Sequence, residues 1–173
     1  MNPTPGIRPD WVDDTLLPYD SHFAEVEDCT VHYLDEGEGP TLLMLHGNPT
    51  WSFLYRDMIA DLRADFRCVA PDYPGMGLSS ARGGYAFGPE EHSRIVAELV
   101  QELNLTDITL VMQDWGGPIG MAAAAEDPDR YSSGWQPRAT SIQIRERRGW
   151  SPGRLATEPC VPLWRGATIC WGR

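Results

Sequence analysis

The sequence predicts an α/β protein with a mostly parallel, doubly wound sheet. Short apolar runs of strand type alternate with segments of helical period, and a hairpin precedes them. The apolar runs are Thr41–Leu45, 66–70 and Ile108–Met112, and the helical segments are 52–64, 89–103 and 119–126. Pro89, followed by Glu90 and Glu91, is typical of a helix start, because proline fits the first helical position and acids there face the positive end of the dipole.

The N-terminal part of the chain predicts a lead-in and a hairpin. Residues 1–22 contain four prolines and are expected to be extended. Segments 23–26 and 30–34 predict the two strands of a hairpin, with Glu27 and Asp28 in the turn. We find no internal repeat, and residues 23–131 are expected to form the N-terminal half of a core domain.

A strand, a sharp turn and a helix meet at Asp114. The apolar strand Ile108–Met112 stops at this acid, and Gly116, Gly117 and an alanine-rich helical segment follow at once. This pattern is typical of the nucleophile elbow of α/β-hydrolases, in which the residue at the tip is forced into the open. A carboxylate is already ionised at neutral pH, so Asp114 can attack without a base and form an ester.

A second turn follows the strand Thr41–Leu45. It begins with His46, Gly47 and Asn48, and a helical segment comes after it. In α/β-hydrolases one backbone donor of the oxyanion hole comes from a loop at this place, and the other comes from the residue after the nucleophile, here Trp115. The two half-sites occur in the expected order along the chain.

These motifs resemble those of haloalkane dehalogenases over residues 23–131. The matching segments are 46–56 (HGNPTWSFLYR), 71–79 (PDYPGMGLS) and 113–117 (QDWGG). The resemblance implies an α/β-hydrolase fold, Asp114 as nucleophile, and halide binding by the Trp115 indole N–H and the Asn48 side-chain amide. Epoxide hydrolases share the Asp-Trp-Gly elbow but usually carry an aromatic residue in place of Asn48. Asn48 therefore favours a dehalogenase, with an epoxide hydrolase as the alternative.

The implied chemistry suits a small halogenated alkane as substrate. A saturated carbon has no carbonyl for a serine to attack, whereas Asp114 can displace halide from its back side. Two N–H donors can stabilise the growing charge of the leaving halide. Water then hydrolyses the ester if a base activates it, and the backbone N–H groups of Asn48 and Trp115 hold the oxyanion. The reaction needs no cofactor and no metal.

The general base expected for this family is missing from the chain. The catalytic order is nucleophile, acid and then histidine. All four histidines precede Asp114: His22, His32, His46 and His92. The acids that follow lie too close behind the elbow: Glu126, Asp127 and Asp129. We expect His46 to bond backbone within its turn, His92 to lie at the surface, and the chain as written to be inactive.

Simpler interpretations apply to several of these residues. Asp114 can be a helix cap, although capping does not explain the coincident His46 turn. Trp115 can be a packing residue, and Trp51 and Phe53 are expected to pack rather than bind halide. Asp72, with glycines after it, lacks the full fingerprint of a phosphate loop and predicts a structural turn.

Composition changes sharply after residue 131. Residues 1–131 contain 7 Arg and 23 acids, a net charge of −16, whereas residues 132–173 contain 7 Arg and 2 Glu, a net charge of +5. The tail shows no apolar period of 2 or 3.6. We expect it to come from a shifted reading frame or a wrongly predicted gene, so the family's cap domain and C-terminal strands are expected to be absent. A non-catalytic binding module is a third hypothesis.

Other classes of function are disfavoured by the whole chain. Arg145, Arg147 and Arg148 form a basic cluster, but no nucleic-acid-binding signature accompanies it and the acidic core would repel a polyanion. No apolar run approaches the roughly 20 residues of a membrane helix, and the N-terminus lacks a signal-peptide pattern. The four cysteines have neither zinc-site nor disulfide-framework spacing. We expect a cytoplasmic enzyme and leave its oligomeric state open.

Overall fold

A computed structural model describes residues 6–132, 160–163 and 167–170. Its main sheet has five strands in the order β1-β2-β4-β3-β5. The strands are β1 His22–Val26, β2 Cys29–Glu36, β3 Thr41–Leu45, β4 Arg67–Pro71 and β5 Ile108–Met112. The helices are α1 Arg56–Leu62, α2 Pro89–Glu102 and α3 Gly116–Glu126, with 3-10 helices at Ser52–Tyr55 and Pro128–Arg130.

The predicted hairpin and parallel sheet are both present. β1 and β2 pair antiparallel with Val26 opposite Cys29, and Glu27 and Asp28 both have positive φ. That backbone is typical of the two-residue hairpin turns whose twist matches the strands. β3 pairs parallel with both β4 and β5, while β2 joins β4 antiparallel. The α/β fold class is confirmed.

The central strand β3 is buried along its whole length. Leu42 and Met44 face one core cluster, which also contains Ile59 and Leu62 of α1. Leu43 and Leu45 face a second cluster, and its partners from α2 and α3 are Val96, Ala97, Val100, Ile119, Ala123 and Ala124. Because alternate side chains of a strand point to opposite faces, helices cover both faces of the sheet, as a doubly wound fold requires.

Three segments differ from the sequence-based expectation. The single helix predicted over 52–64 divides into a 3-10 helix and α1. α3 begins at Gly116, three residues before the predicted start. The lead-in forms turns rather than extended chain, and it buries Leu17 and Tyr19 against the core. Arg8 fixes it by donating to the Tyr19 carbonyl at 3.0 Å and the Leu17 carbonyl at 2.8 Å.

A start of further pairing is visible beside β5. Tyr131 forms a parallel bridge with Ile108, and the Ser132 N–H donates to the Ile108 carbonyl at 3.0 Å. Beyond this bridge, β5 is the edge of the main sheet within residues 6–132. Although the tail shows no strand period, its backbone forms a separate antiparallel pair of β6 Cys160–Leu163 and β7 Ala167–Cys170. None of the described helices has the length and hydropathy to cross a bilayer.

Candidate functional site

Asp114 occupies the turn between β5 and α3, as the elbow pattern predicts. Its φ is +51°, in the left-handed region, and its side chain is exposed. Left-handed backbone is uncommon for a residue other than glycine and persists only where the surroundings enforce it. The Gly117 N–H donates to the Asp114 carbonyl at 3.0 Å, and the Gly116 N–H donates to the Gln113 carbonyl at 2.9 Å. These bonds close the turn and lead directly into α3.

Small residues allow the elbow to approach β3 closely. A Cβ placed on Gly116 would lie 2.1 Å from the Leu45 carbonyl oxygen, and a Cβ on Gly120 would lie 2.6 Å from Leu45 Cδ1. A Cβ on Gly47 would lie 2.6 Å from the Asp114 carboxylate. Side chains at these three glycines would therefore push apart the two strand ends that carry the site.

The His46 turn and the elbow are joined by hydrogen bonds. The Asn48 backbone N–H donates to Asp114 Oδ2 at 3.1 Å, and the Gly47 N–H donates to Gln113 Oε1 at 3.1 Å. The Gln113 N–H in turn donates to the Leu45 carbonyl at 3.1 Å. The two half-sites that are 66 residues apart in the chain thus meet at the carboxyl ends of the adjacent strands β3 and β5.

His46 fixes the turn from beneath. The Tyr73 N–H donates to His46 Nε2 at 3.2 Å, so the proton of the neutral ring lies on Nδ1, which donates to the Gly47 carbonyl at 2.8 Å. Burial lowers the pKa of His46 below its usual value, against a smaller opposing effect of the bond to Gly47. His46 is therefore a neutral, backbone-bonded residue, and its expected role in the turn is confirmed.

A cavity of about 230 Å³ opens beside the elbow. Asn48 and Trp115 both line it, and the other lining residues are Gly47, Tyr73, Met76, Phe87, Pro89, His92 and Ile119. Asp114 is not among the lining residues, but its carboxylate accepts the bond from Asn48 described above. The Trp115 side chain is 49% exposed, although it is a large apolar group. Two of the three predicted site residues, Asn48 and Trp115, thus line one partly apolar opening, and Asp114 is hydrogen-bonded to the first of them.

His92 is buried, so its predicted surface position is wrong. It is 3% exposed, its Nδ1 lies 2.9 Å from the Tyr85 hydroxyl, and its Nε2 has no hydrogen-bond partner among the described residues. Burial lowers the pKa of His92, and His46 lowers it further. A signal was present in the sequence, because His92, Ile95, Val96 and Leu99 have the i, i+3, i+4, i+7 spacing of one buried helix face.

Asp72 forms a structural turn, as predicted. Both of its oxygens are buried acceptors: Oδ1 takes the Ser52 N–H at 2.7 Å, and Oδ2 takes the Leu78 N–H at 2.9 Å and His32 Nδ1 at 2.8 Å. His32 is itself fully buried. Trp51 and Phe53 stack on each other with centroids 5.6 Å apart and pack against the core, as expected.

None of the four histidines hydrogen-bonds to Asp114 in residues 6–132. His22 lies on β1 and stacks on Tyr33 with centroids 5.4 Å apart. His32 belongs to the Asp72 turn, while His46 and His92 are engaged as described above. Within residues 6–132 each of these rings is therefore engaged away from the Asp114 carboxylate.

Known proteins resemble this chain over about two thirds of its length. Residues 40–135 match the family described as alpha/beta hydrolase fold. Haloalkane dehalogenase 2 of Mycobacterium tuberculosis is 51% identical over 118 residues, which cover 68% of this chain and 41% of that protein. The Cis-3-alkyl-4-alkyloxetan-2-one decarboxylase of Shewanella oneidensis is 42% identical over 120 residues, which cover 68% of this chain and 38% of that protein.

Solved structures give the same result. The haloalkane dehalogenase DpaA from Paraglaciecola agarilytica has a TM-score of 0.62 at 36% identity, covering 67% of this chain and 42% of that one. An epoxide hydrolase from Vigna radiata has a TM-score of 0.59 at 30% identity, covering 65% and 36%. The chain spans about two fifths of the length of the curated dehalogenase it matches. It belongs to the α/β-hydrolase fold family, and its resemblance to haloalkane dehalogenases is confirmed.

Proposed function

We propose that the site carries the nucleophilic half of hydrolytic haloalkane dehalogenation, with Asp114 as nucleophile and Asn48 and Trp115 as halide donors. The observation that carries the proposal is the bond from the Asn48 N–H to the Asp114 carboxylate, beside a cavity that Asn48 and Trp115 both line. An exposed, left-handed Asp at a strand end is poised to reach a substrate. Catalytic strain of this kind is characteristic of functional sites.

The first step is a displacement at saturated carbon. One Asp114 carboxylate oxygen forms a bond to the carbon, the carbon–halogen bond breaks, and halide leaves with its electron pair. The products are halide and an alkyl ester on Asp114. The Trp115 indole N–H and the Asn48 amide stabilise the halide as its charge grows.

In the complete dehalogenase reaction, the second step hydrolyses the ester and regenerates the free Asp114 carboxylate. A base takes a proton from water, hydroxide adds to the ester carbonyl, and the alcohol leaves while Asp114 is regenerated. The backbone N–H groups of Asn48 and Trp115 would hold the oxyanion. Because no histidine among the described residues contacts Asp114, we propose that these residues alone carry the reaction only as far as the ester.

Two related activities compete with this proposal. An epoxide hydrolase would use the same Asp to open an epoxide ring, which the similarity to the Vigna radiata structure favours. A decarboxylase of 3,4-dialkyl oxetanones is favoured by the Shewanella oneidensis relative. Asn48 supports the dehalogenase over the epoxide hydrolase, because its side-chain amide supplies a halide donor.

Halide release tests the proposal directly. The chain is mixed with excess 1-bromohexane, and bromide is counted per chain against Asp114→Asn, Asn48→Ala and the exposed control Asp61→Asn. We expect at most one bromide per chain for the parent and for Asp61→Asn, none for Asp114→Asn, and a rate at least tenfold lower for Asn48→Ala, in line with the loss of one anion donor. Release that persists in Asp114→Asn would refute the proposal. Parallel incubations with a terminal epoxide and a cis-dialkyl oxetanone distinguish the alternatives.

A further inference from the structure

Phe87 adopts a backbone conformation that its side chain disfavours. Its φ is +58°, and the residue is 56% exposed. A bulky residue with positive φ is a genuine outlier, because its Cβ crowds the backbone. Glycine would adopt a positive φ at position 87 without strain, yet the chain has phenylalanine there and glycine only at the next position, Gly88.

The loop that carries Phe87 is held firmly in place. The Ala86 N–H donates to the Glu91 carboxylate, and Arg82 pairs with the same carboxylate at 3.3 Å. Tyr85 is buried, and its hydroxyl bonds His92 Nδ1 of α2 at 2.9 Å. Contacts on both sides of Phe87 therefore determine its backbone, which is the condition under which such strain persists.

The held ring forms one wall of the cavity. A Cβ on Gly75 would lie 2.5 Å from Phe87 Cε1, so the ring rests directly on the Gly75 backbone. The ring meets Tyr85 edge-on with centroids 5.2 Å apart. Together with Met76 and Ile119 it supplies apolar surface to the cavity in which Asn48 and Trp115 lie.

The ring adds little to the protein's own core. More than half of the residue faces solvent, so its burial yields only part of the stabilisation of a buried phenylalanine. Strain combined with exposure is unfavourable for folding alone. The exposure becomes useful when an apolar ligand covers the ring, because apolar surface is then removed from water on both molecules.

We propose that Phe87 is a specificity-determining residue of this cavity and that it binds the alkyl chain of the substrate, favouring longer chains over short ones. The inference rests on the proposed function for the identity of the substrate, and it deepens that function by naming the substrate class. The halide end lies toward Asn48 and Trp115, and the chain lies across the Phe87 ring.

Alcohol binding measures this role without any chemistry at Asp114. Dissociation constants of 1-hexanol and ethanol are measured by calorimetry or ligand-observed NMR for the parent, Phe87→Gly, Phe87→Leu and Trp11→Gly. Trp11 is the matched control, because it is an aromatic residue 65% exposed and does not line the cavity. We expect Phe87→Gly to weaken 1-hexanol binding about tenfold, leave ethanol unchanged, and keep or raise Tm, since glycine accepts the positive φ.

The variants separate a ligand-binding role from a structural one. Phe87→Leu should recover part of the 1-hexanol affinity, and Trp11→Gly should leave it unchanged. Unchanged 1-hexanol binding in Phe87→Gly, or a marked fall of its Tm, would overturn the proposal. If bromide release fails while 1-hexanol still binds through Phe87, the proposed reaction is refuted and the alkyl-binding site remains. If bromide is released but 1-hexanol binding does not depend on Phe87, the proposed reaction stands and the alkyl-binding role of Phe87 is refuted.

Discussion

At the scale of single residues, the site depends on its glycines as much as on the charged Asp114. Asp114 reaches the Asn48 N–H because Gly47 and Gly116 leave room between two strand ends. A neighbouring glycine, Gly117, has no atom within 4 Å of the position that its Cβ would occupy. Packing therefore requires glycine at position 116 of the elbow but not at position 117.

Alanine at these two glycines should have opposite effects. In Gly116→Ala the new methyl group would lie 2.1 Å from the Leu45 carbonyl oxygen, and backbone cannot yield as a side chain does. We expect a loss of about 2–3 kcal/mol of unfolding free energy, in the range of overpacked cores. Gly117→Ala is the matched control and should be neutral or stabilising by up to about 1 kcal/mol, because alanine favours helix. Urea unfolding of both variants measures this, and equal effects would contradict the packing argument.

Residue-level prediction from sequence worked where a motif fixed the position. Asp114, Asn48 and Trp115 meet as the two turn patterns indicate, since their places follow from the ends of adjacent strands. The surface position predicted for His92 is wrong, because its place early on a helix was given more weight than the apolar spacing that follows it. Phe87 gave no signal, because its left-handed backbone is imposed by contacts of the surrounding loop that no local pattern encodes.

At the scale of elements, the turn after β4 organises the chain around Asp72. This buried carboxylate accepts hydrogen bonds from the start of the 3-10 helix, from the turn itself and from His32 of β2. The 3-10 helix begins four residues after Asn48 in sequence. Asp72 therefore links the halide-donor turn to the sheet, although it lies outside the cavity.

Asp72→Asn should destabilise the fold strongly. The amide keeps the shape of the carboxylate but presents an NH₂ group to N–H donors, so at least one buried donor loses its acceptor. Removal of one partner of a buried charged network costs about 3–5 kcal/mol. The control is Asp57→Asn, an exposed carboxylate 3.3 Å from Arg56, which should change the unfolding free energy by about 0.5 kcal/mol or less. Similar midpoints for both variants in chemical unfolding would count against this role of Asp72.

The accuracy of the predicted elements followed the same logic. β3 and β5 have the predicted bounds, because each is a continuous apolar run with polar or turn-forming residues at both ends. The helix expected over 52–64 is divided, since the long-range bond from Ser52 to Asp72 fixes its first turn as a 3-10 helix. α3 begins three residues before its predicted start. The prediction missed these residues because Gly116 and Gly117 have low helical propensity.

At the scale of the whole molecule, β5 is both the strand that leads to Asp114 and the outer strand of the described sheet. The Gln113 N–H bonds the Leu45 carbonyl, whereas the Ile108 carbonyl faces Ser132 on the other side. Backbone groups of alternate β5 residues, Leu110 and Met112, therefore point away from β3. Such an edge presents a template for pairing with another strand.

Self-association through this edge should depend on protein concentration. Thr109→Lys adds a charge at the second residue of β5, and lysine is a common natural protection of exposed edge strands. We expect the parent to form larger species in sedimentation velocity as its concentration rises, and Thr109→Lys to shift the distribution toward monomer. An exposed substitution elsewhere, Asp61→Lys, serves as control. A parent that stays monomeric at all concentrations would show that this edge is covered.

Acid should destabilise the protein through its buried imidazoles. Burial lowers the pKa of both His46 and His92 in the folded state. Because the unfolded chain then binds more protons below its usual histidine pKa of about 6.5, stability is full above that pH and falls as the pH drops below it. Unfolding free energies between pH 7.5 and 5 test this, and His92→Phe should flatten the dependence. A flat profile for the parent would contradict it.

Asp114 is proposed to attack carbon and to remain esterified. Intact-mass spectrometry after incubation with 1-bromohexane tests it most directly, with peptide mapping to locate the adduct. We expect the parent chain to gain the mass of one hexyl group at Asp114, and the adduct to persist after excess substrate is removed. Asp114→Asn should gain no hexyl group. Steady release of many bromides per chain without an adduct, or an adduct that survives in Asp114→Asn, would contradict the account.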